Sequence, residues 1–283
     1  HLGARNSMTI KNKHQILTIL TILFFFTATS LRAGTASATK AMQNGSNPLI
    51  VMHTELGSIY IELFPDEAPR NVKYFLQLIK GEISSKSAPD FSPRYLDNRI
   101  FENSIPSILV QGGDSRSHPF GAPTTQPKID ISAKALGLDK APLINAEGLL
   151  HPNLAITSKD DYEEKLLKPF LKKNNIMSTD MIKENQFILF ESLRNLTLED
   201  GLKLQGLTFT DSLDSRMISR GTLVLSEPGG PGFLLTLKNL PHLNGRLTVI
   251  GNIVEGITFA DEISQRIGES KTPVSLYSTR VIQ

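Results

Sequence analysis

From Leu49 onward the chain reads as short apolar runs divided by turns. Leu49–Thr54 (LIVMHT) is rich in apolar and β-branched residues, and Ser58–Phe64 alternates, with Ile59, Ile61 and Leu63 on one face and Tyr60 and Glu62 on the other. Glu55-Leu56-Gly57 forms the turn between these two predicted strands. The period then changes. Val72, Phe75, Leu76 and Ile79 recur at i, i+3, i+4 and i+7 and predict a helix over 68–80, with Pro69 in its first turn and Gly81 as its C-cap. Strand patterns resume at Arg99–Ser104 and Ile108–Gln111, and Gln111-Gly112-Gly113-Asp114 reads as a turn. Beyond Gly221 come Thr222–Ser226, Phe233–Leu237 and Leu247–Val254, a helix over 258–267 with Thr258 and Asp261 spaced as a capping box, and a closing strand at Pro273–Ile282. Short strands, two asymmetrically placed helices and Gly-rich turns argue for a closed antiparallel β architecture.

Residues 115–220 have a different texture. They begin Pro- and Ser-rich and then carry two helix-like stretches, Asp160–Lys173 and Thr179–Leu196. Tyr162, Leu166, Leu167 and Phe170 form one apolar stripe, and Met181, Phe187, Ile188, Phe190 and Leu193 a denser one. The two helices are expected to pack as a hairpin against the edge of the β structure, either as a stabilising lid or as an arm for partners and clients.

Charge separates the N-terminus from the rest. The 283 residues include 30 Lys and Arg and 28 Asp and Glu. Arg5, Lys11, Lys13 and Arg32 lie in residues 1–38 without one acid, so the remainder has 26 basic and 28 acidic residues, a net of −2. Ile16–Phe26 (ILTILTILFFF) is almost wholly apolar and is followed by small residues ending in Ala36-Ser37-Ala38. A basic start, a short apolar run and an A-x-A site describe a secretory leader over 1–38, followed by a polar lead-in over 39–48. The expected location is therefore exported, in a periplasm; the alternative is a membrane anchor by an uncleaved leader. The chain has no Cys, which excludes a disulfide scaffold, a thiolate metal site and a cysteine nucleophile. No Trp and 7% aromatics speak against a stacking-based nucleic-acid reader. No His/Asp/Glu group has metal-ligand spacing.

Four collinear blocks carry more than periodicity. Glu55-Leu56-Gly57-Ser58-Ile59 through Phe64-Pro65-Asp66-Glu67-Ala68-Pro69-Arg70-Asn71-Val72 to Phe75 resembles the opening of the cyclophilins. Tyr95 through Phe101, then Ile105-Pro106 and Gln111-Gly112-Gly113-Asp114, resembles that family's "F-H-R-V-I-P-x-F-x-x-Q-G-G-D" block, with no gap from Phe101 to Asp114. Gly221-Thr222-Leu223 is similar to the "G-x-L-S-M-A" strand, and Leu243-Asn244-Gly245-Arg246 through Val254-Glu255-Gly256 to "W-L-D-G-K-H-V-V-F-G-x-V-x-E-G". The resemblance covers 49–114 and 221–283. It implies a mainly β fold: a closed eight-stranded antiparallel barrel capped by two helices, here one domain over 49–283 interrupted by the partly helical insertion 115–220. It implies peptidyl-prolyl cis–trans isomerase activity on one outer face of the barrel, with no metal and no cofactor.

Carried over residue by residue, the implied catalytic face is rewritten. The family's arginine position is Asn103, and its glutamine is kept as Gln111. The implied substrate-binding positions are Ile108 and Leu109 for the pocket Phe and Met, Ser226 and Glu227 in the "M-A-N-A-G" loop, Leu234 for the second Phe, His242 for the Trp, Leu243 as in the family, and Leu247 for the His. Glu227 is either a contact for a basic residue beside the substrate proline or a solvated turn carboxylate. His242 is either a ligand contact or a surface histidine, and Gln111 either faces the site or bonds backbone. Arg99, on Asn103's strand face by simple alternation, or Arg216, Arg220 or Arg246 could supply the missing cation. The expected partners are proline-containing unfolded or extended polypeptides, with no nucleic acid and no membrane after leader removal. The expected function is a weak isomerase aiding the folding of exported chains, or an inactive relative that holds proline-containing clients.

Overall fold

The computed structural model describes residues 34–114, 118–125, 127–226 and 231–283. The chain forms two compact units, residues 1–45 and 46–283. In the first, residues 34–41 are helical. No helix among the described residues is long and apolar enough to cross a membrane.

The second unit is built on eight strands: β1 (Leu49–Thr54), β2 (Ser58–Leu63), β3 (Arg99–Ile105), β4 (Leu109–Gly112), β5 (Thr222–Leu225), β6 (Phe233–Thr236), β7 (Thr248–Glu255) and β8 (Val274–Val281). They close into a barrel in the order β1-β2-β7-β5-β6-β4-β3-β8, antiparallel at every pairing. Closure removes the unpaired edges that an open sheet would expose. Strand alternation sends Val110, Leu223, Phe233 and Leu235 into the interior, where they meet Ile61, Leu63 and Phe101. Phe75 and Phe101 each set a ring edge-on to Phe233, with centroids 6.2 and 6.1 Å apart. Gly112 pairs with Phe101 on one side and Phe233 on the other. A Cβ there would lie 2.8 Å from the Phe233 ring, so the two rings close over a bare Cα.

Two helices cover the barrel. α1 (Pro69–Lys80) buries Val72, Tyr74, Phe75, Leu78 and Ile79 and ends on Gly81 in the left-handed region, as its apolar spacing predicts. The C-terminal helix α6 (Ile257–Ser270) buries Ala260, Ile263 and Ile267. It is not opened by a Thr258–Asp261 capping box. Left-handed Gly256 is its N-cap, with no side-chain cap, so Thr258 is already inside the first turn.

The insertion has a hydrophobic core of its own, formed by Ile131, Leu136, Leu143, Leu154, Leu166, Leu198, Leu202 and their neighbours. Its helical segments are α2 (Lys159–Tyr162), a wider π segment (Glu163–Leu167), α3 (Lys168–Lys173), α4 (Thr179–Arg194) and α5 (Leu198–Leu204). The π segment precedes Pro169, whose ring cannot donate to the fourth preceding carbonyl and crowds it, so the turn opens. The expected two-helix hairpin does not form. α4 has no buried residue: Phe187 and Phe190 are exposed, and Met181 and Leu193 are only half-buried. The helix that completes the core is α5, held by a capping box between Thr197 and Asp200.

Polar ties fasten the insertion to the barrel unit, the following among them. Asp130 accepts from the backbone N–H groups of Arg70 and Asn71 at the start of α1. Arg216 pairs with Glu67 and lies over the Phe64 ring. Asn153 donates to the carbonyls of Pro241 and Asn244, and Arg246 donates to the Asn153 carbonyl.

Candidate active site

A β-bulge sets the outer face of the barrel. Phe101 pairs with Gly112 and Asn103 pairs with Gln111, so Glu102 is the extra residue between them. Before the bulge Arg99 and Phe101 are buried; after it Asn103 and Ile105 are exposed. Without the extra residue Asn103 would point inward with Phe101. The bulge therefore overturns the expectation that Arg99 and Asn103 share a face.

The bulged residue is pinned from below. Glu102 Oε1 accepts the Asp114 N–H at 3.2 Å, and Arg99 lies 3.5 Å from the same oxygen while donating to the Asp114 carbonyl at 3.0 Å. Burial pushes the Glu102 carboxyl up and lowers the Arg99 guanidinium from its ordinary value. His118 stacks on Tyr95 with centroids 4.6 Å apart, and its Nδ1 accepts the Phe120 N–H. Burial, then the Arg99 charge, lowers its pKa to about 4.

Above this brace the site runs across adjacent strands. Asn103 on β3 pairs with Gln111 on β4, and Gln111 with Leu234 on β6. Asn103, Leu109, Gln111, Ser226, Leu234 and Leu247 line one cavity of about 490 Å³, together with Ser104 and Ile105. Its apolar wall continues into a cluster on the outside of the barrel, where Phe64, Ile218, Val224, Leu240 and Val249 back Ile108, Leu109, Leu234, Leu243 and Leu247. Ser104 ties the end of β3 to α6: its Oγ lies 2.8 Å from Ser264 Oγ.

Of the residues expected at the site, Ile108 and Leu243 belong to this apolar cluster but do not line the cavity. His242 is exposed in the short 3-10 turn Pro241–Leu243 and is not among the lining residues. Glu227 lies outside the described residues. Ser104 and Ile105 were not expected, although Ile105 stands two positions beyond Asn103, and strand alternation puts it on the same face.

Among the described residues no Lys or Arg lines the cavity. The four arginines considered as replacement donors are engaged elsewhere. Arg99 is buried beneath the bulge. Arg216 pairs with Glu67, Arg220 with Asp261, and Arg246 binds Asn153 and Gln205. Asn103 and Gln111 offer uncharged amide donors, and the leucines an apolar seat.

Residues 49–160 match the family model for the cyclophilin-type peptidyl-prolyl cis-trans isomerase domain. That segment carries the similarity to the cyclophilin-type family. The chain is 39% identical over 75 residues to the peptidyl-prolyl isomerase cwc27 of Rhizopus delemar, a match covering 26% of this chain and 12% of that protein. It is 29% identical over 75 residues to peptidyl-prolyl cis-trans isomerase B of Streptomyces anulatus, covering 25% and 43%. The chain thus spans 12%, 10% and 19% of the length of three curated relatives it matches. Among solved structures, a cyclophilin-type isomerase of Cryptosporidium parvum aligns with a TM-score of 0.42 and 15% identity, over 84% of this chain and 99% of that one. The family match ends inside the insertion, and the strands after it, β5 to β8, complete the barrel.

Proposed function

We propose that this chain binds proline-containing, extended polypeptide on the outer face of the barrel and isomerises the prolyl bond slowly. The observation that carries this reading is the cavity itself: an apolar wall of Leu109, Leu234 and Leu247 beside two amides, Asn103 and Gln111, without a cation among the described lining residues.

The prolyl bond turns against a barrier of about 18–20 kcal/mol. Rotation breaks amide resonance and leaves a lone pair on the prolyl nitrogen. An apolar seat holds the ring, one amide can hold a substrate carbonyl, and a donor aimed at the nitrogen lowers the barrier. Asn103 can donate through Nδ2, but as a neutral group with a shorter reach than a guanidinium. Losing one preorganised donor typically costs about 10²–10³ in rate. The engagement of Arg99, Arg216, Arg220 and Arg246 elsewhere favours a second reading, a client-holding protein without catalysis.

Two-dimensional exchange NMR of an Ala-Pro-Phe peptide separates them. Cross-peaks between cis and trans lines that appear only with protein support slow catalysis. Line broadening without added exchange supports holding. Sharp, unshifted peptide lines at high protein concentration contradict both.

Export is part of the proposal and rests on the sequence of residues 1–38, a basic start, the apolar run Ile16–Phe26 and Ala36-Ser37-Ala38. The clients would then be exported polypeptides in a periplasm. Mass spectrometry of the protein from its native host should find an N-terminus near Thr39. An N-terminus that retains Ile16–Phe26 would instead favour the uncleaved anchor.

A further inference from the structure

α4 is a long helix with little cover. It spans four turns without a buried residue, and Phe187, Ile188 and Phe190 are 80%, 68% and 60% exposed. Its inner side is occupied: Leu193 packs against the core of the insertion, and Met181, Leu189 and Ser192 are half-buried. The outer side therefore faces solvent while the helix is anchored, so it is a fixed surface rather than a loose end.

The outer side has a regular pattern. Asp180, Lys183, Phe187, Phe190 and Arg194 are all exposed and are spaced three, four, three and four residues apart. This spacing keeps them on one narrow stripe of a helix, the arrangement by which one helix seats against another. Two phenylalanines occupy its middle and charges its ends.

Four of the five charges on α4 are arranged antisymmetrically about Phe187, and the fifth, Glu184, falls opposite Phe190 in the same register. Lys183 and Glu191 lie four residues to either side of it, and Asp180 and Arg194 seven to either side. A second copy laid antiparallel, with a two-fold axis beside Phe187, places Lys183 opposite Glu191 and Asp180 opposite Arg194, each pair occurring twice. A parallel arrangement would set like against like. The one competing contact on the stripe is the pair between Lys183 and Asp180 at 3.4 Å, whose side chains are 72% and 84% exposed, so it contributes little in the monomer. We infer that α4 is a self-association surface, on which a second copy of this chain packs antiparallel through Phe187 and Phe190.

A 16-residue helix is about 24 Å long, so this contact is small beside the ~1,200–2,000 Å² of a standard interface, and the dimer should be concentration-dependent. The surface lies on the insertion and uses no residue of the proline cavity.

Sedimentation velocity of the full chain, from micromolar to near-millimolar protein, tests this. The unmodified protein should shift from monomer to dimer, and Phe187→Glu should weaken the dimer by about tenfold or more. Lys183→Glu and Glu191→Lys should each weaken it alone. Mixed in equal amounts, these two variants should associate with each other, because all four cross-pairs then become attractive. A circular dichroism spectrum unchanged from the parent would show that each variant remains folded. A monomer over the whole range overturns the inference. So does a dimer indifferent to the charge reversals, which would be apolar adhesion without the proposed register. Co-sedimentation of the monomer with anionic phosphatidylglycerol vesicles, lost in Phe187→Glu, overturns it in favour of a membrane-facing helix.

Discussion

Asp130 Oδ2 accepts the N–H of Asn71 at 2.9 Å, and Asn71 Oδ1 accepts the N–H of Asp130 at 3.1 Å. This is the reciprocal logic of a capping box, closed between residues 59 positions apart. The N-cap of α1 is Ala68, which offers no side-chain acceptor. The same carboxylate also takes the Arg70 N–H at 2.7 Å and the Arg70 Nε at 2.5 Å, and its side chain is wholly buried. One residue of the insertion thus supplies the cap that Ala68 cannot. Asp130→Ala should cost about 2–3 kcal/mol in urea unfolding, from a lost cap and orphaned N–H donors. A loss below about 0.5 kcal/mol, the scale of an ordinary surface change, would show that water replaces the carboxylate without penalty.

His118 should make stability pH-dependent. Its folded pKa is about 4 against an ordinary 6.5, mainly because it is buried. Between these values the unfolded chain binds a proton that the folded one refuses, so stability falls as pH drops from 6.5 towards 4. The full loss from this group is about 3 kcal/mol at the usual conversion per pKa unit. Glu102 works in the opposite sense, since its raised pKa lets the folded form keep a proton longer, and stability declines as pH rises through that value. The difference between the parent and His118→Phe isolates the histidine. That difference should have a slope between pH 6.5 and 4, and a flat difference would place the imidazole in contact with water.

Ile105 separates binding from folding. It lines the cavity and is 52% exposed. Ile105→Asp should change stability by no more than about 0.5 kcal/mol. It should weaken a proline peptide by roughly tenfold, since an apolar contact worth about 1–2 kcal/mol becomes a charge. Peptide titrations followed by NMR shifts provide the check, and an unchanged affinity would move the peptide off this wall.

Gly112→Ala should be strongly destabilising, by about 2–4 kcal/mol, because the added Cβ has only aromatic rings to displace. It would sit 2.8 Å from Phe233 and 3.2 Å from Phe101. A variant that melts within a degree of the parent would mean the two rings can separate freely.

The barrel strands, α1 and α6 are legible in the sequence because their signals are local. Alternation over Ile59, Ile61 and Leu63 and the i, i+3, i+4, i+7 set from Val72 to Ile79 do not depend on distant residues. The bulge at Glu102 is different. One extra residue on one strand is a property of the pairing, and alternation along β3 alone puts Arg99 and Asn103 together. The insertion misleads for a related reason. Phe187, Ile188 and Phe190 make the densest apolar stretch of the segment, but density is not a face. The core is completed instead by Leu198 and Leu202 on a helix of seven residues, whose local signal was Thr197 and Asp200 at capping-box spacing. At the site, the pairing of Asn103, Gln111 and Leu234 follows the order of the family blocks, whereas His242 stands apart because it sits in an exposed turn.

The account turns on one position. Asn103 lines the cavity, and no Lys or Arg stands among its described lining residues, so supplying a cation there should raise the rate. Exchange spectroscopy of the same Ala-Pro-Phe peptide with the unmodified chain and with Asn103→Arg measures this directly. The expected result is a cis–trans exchange rate about 10²–10³ higher in the variant, with peptide affinity changed far less. Equal rates in two folded proteins that bind the peptide alike would contradict the account.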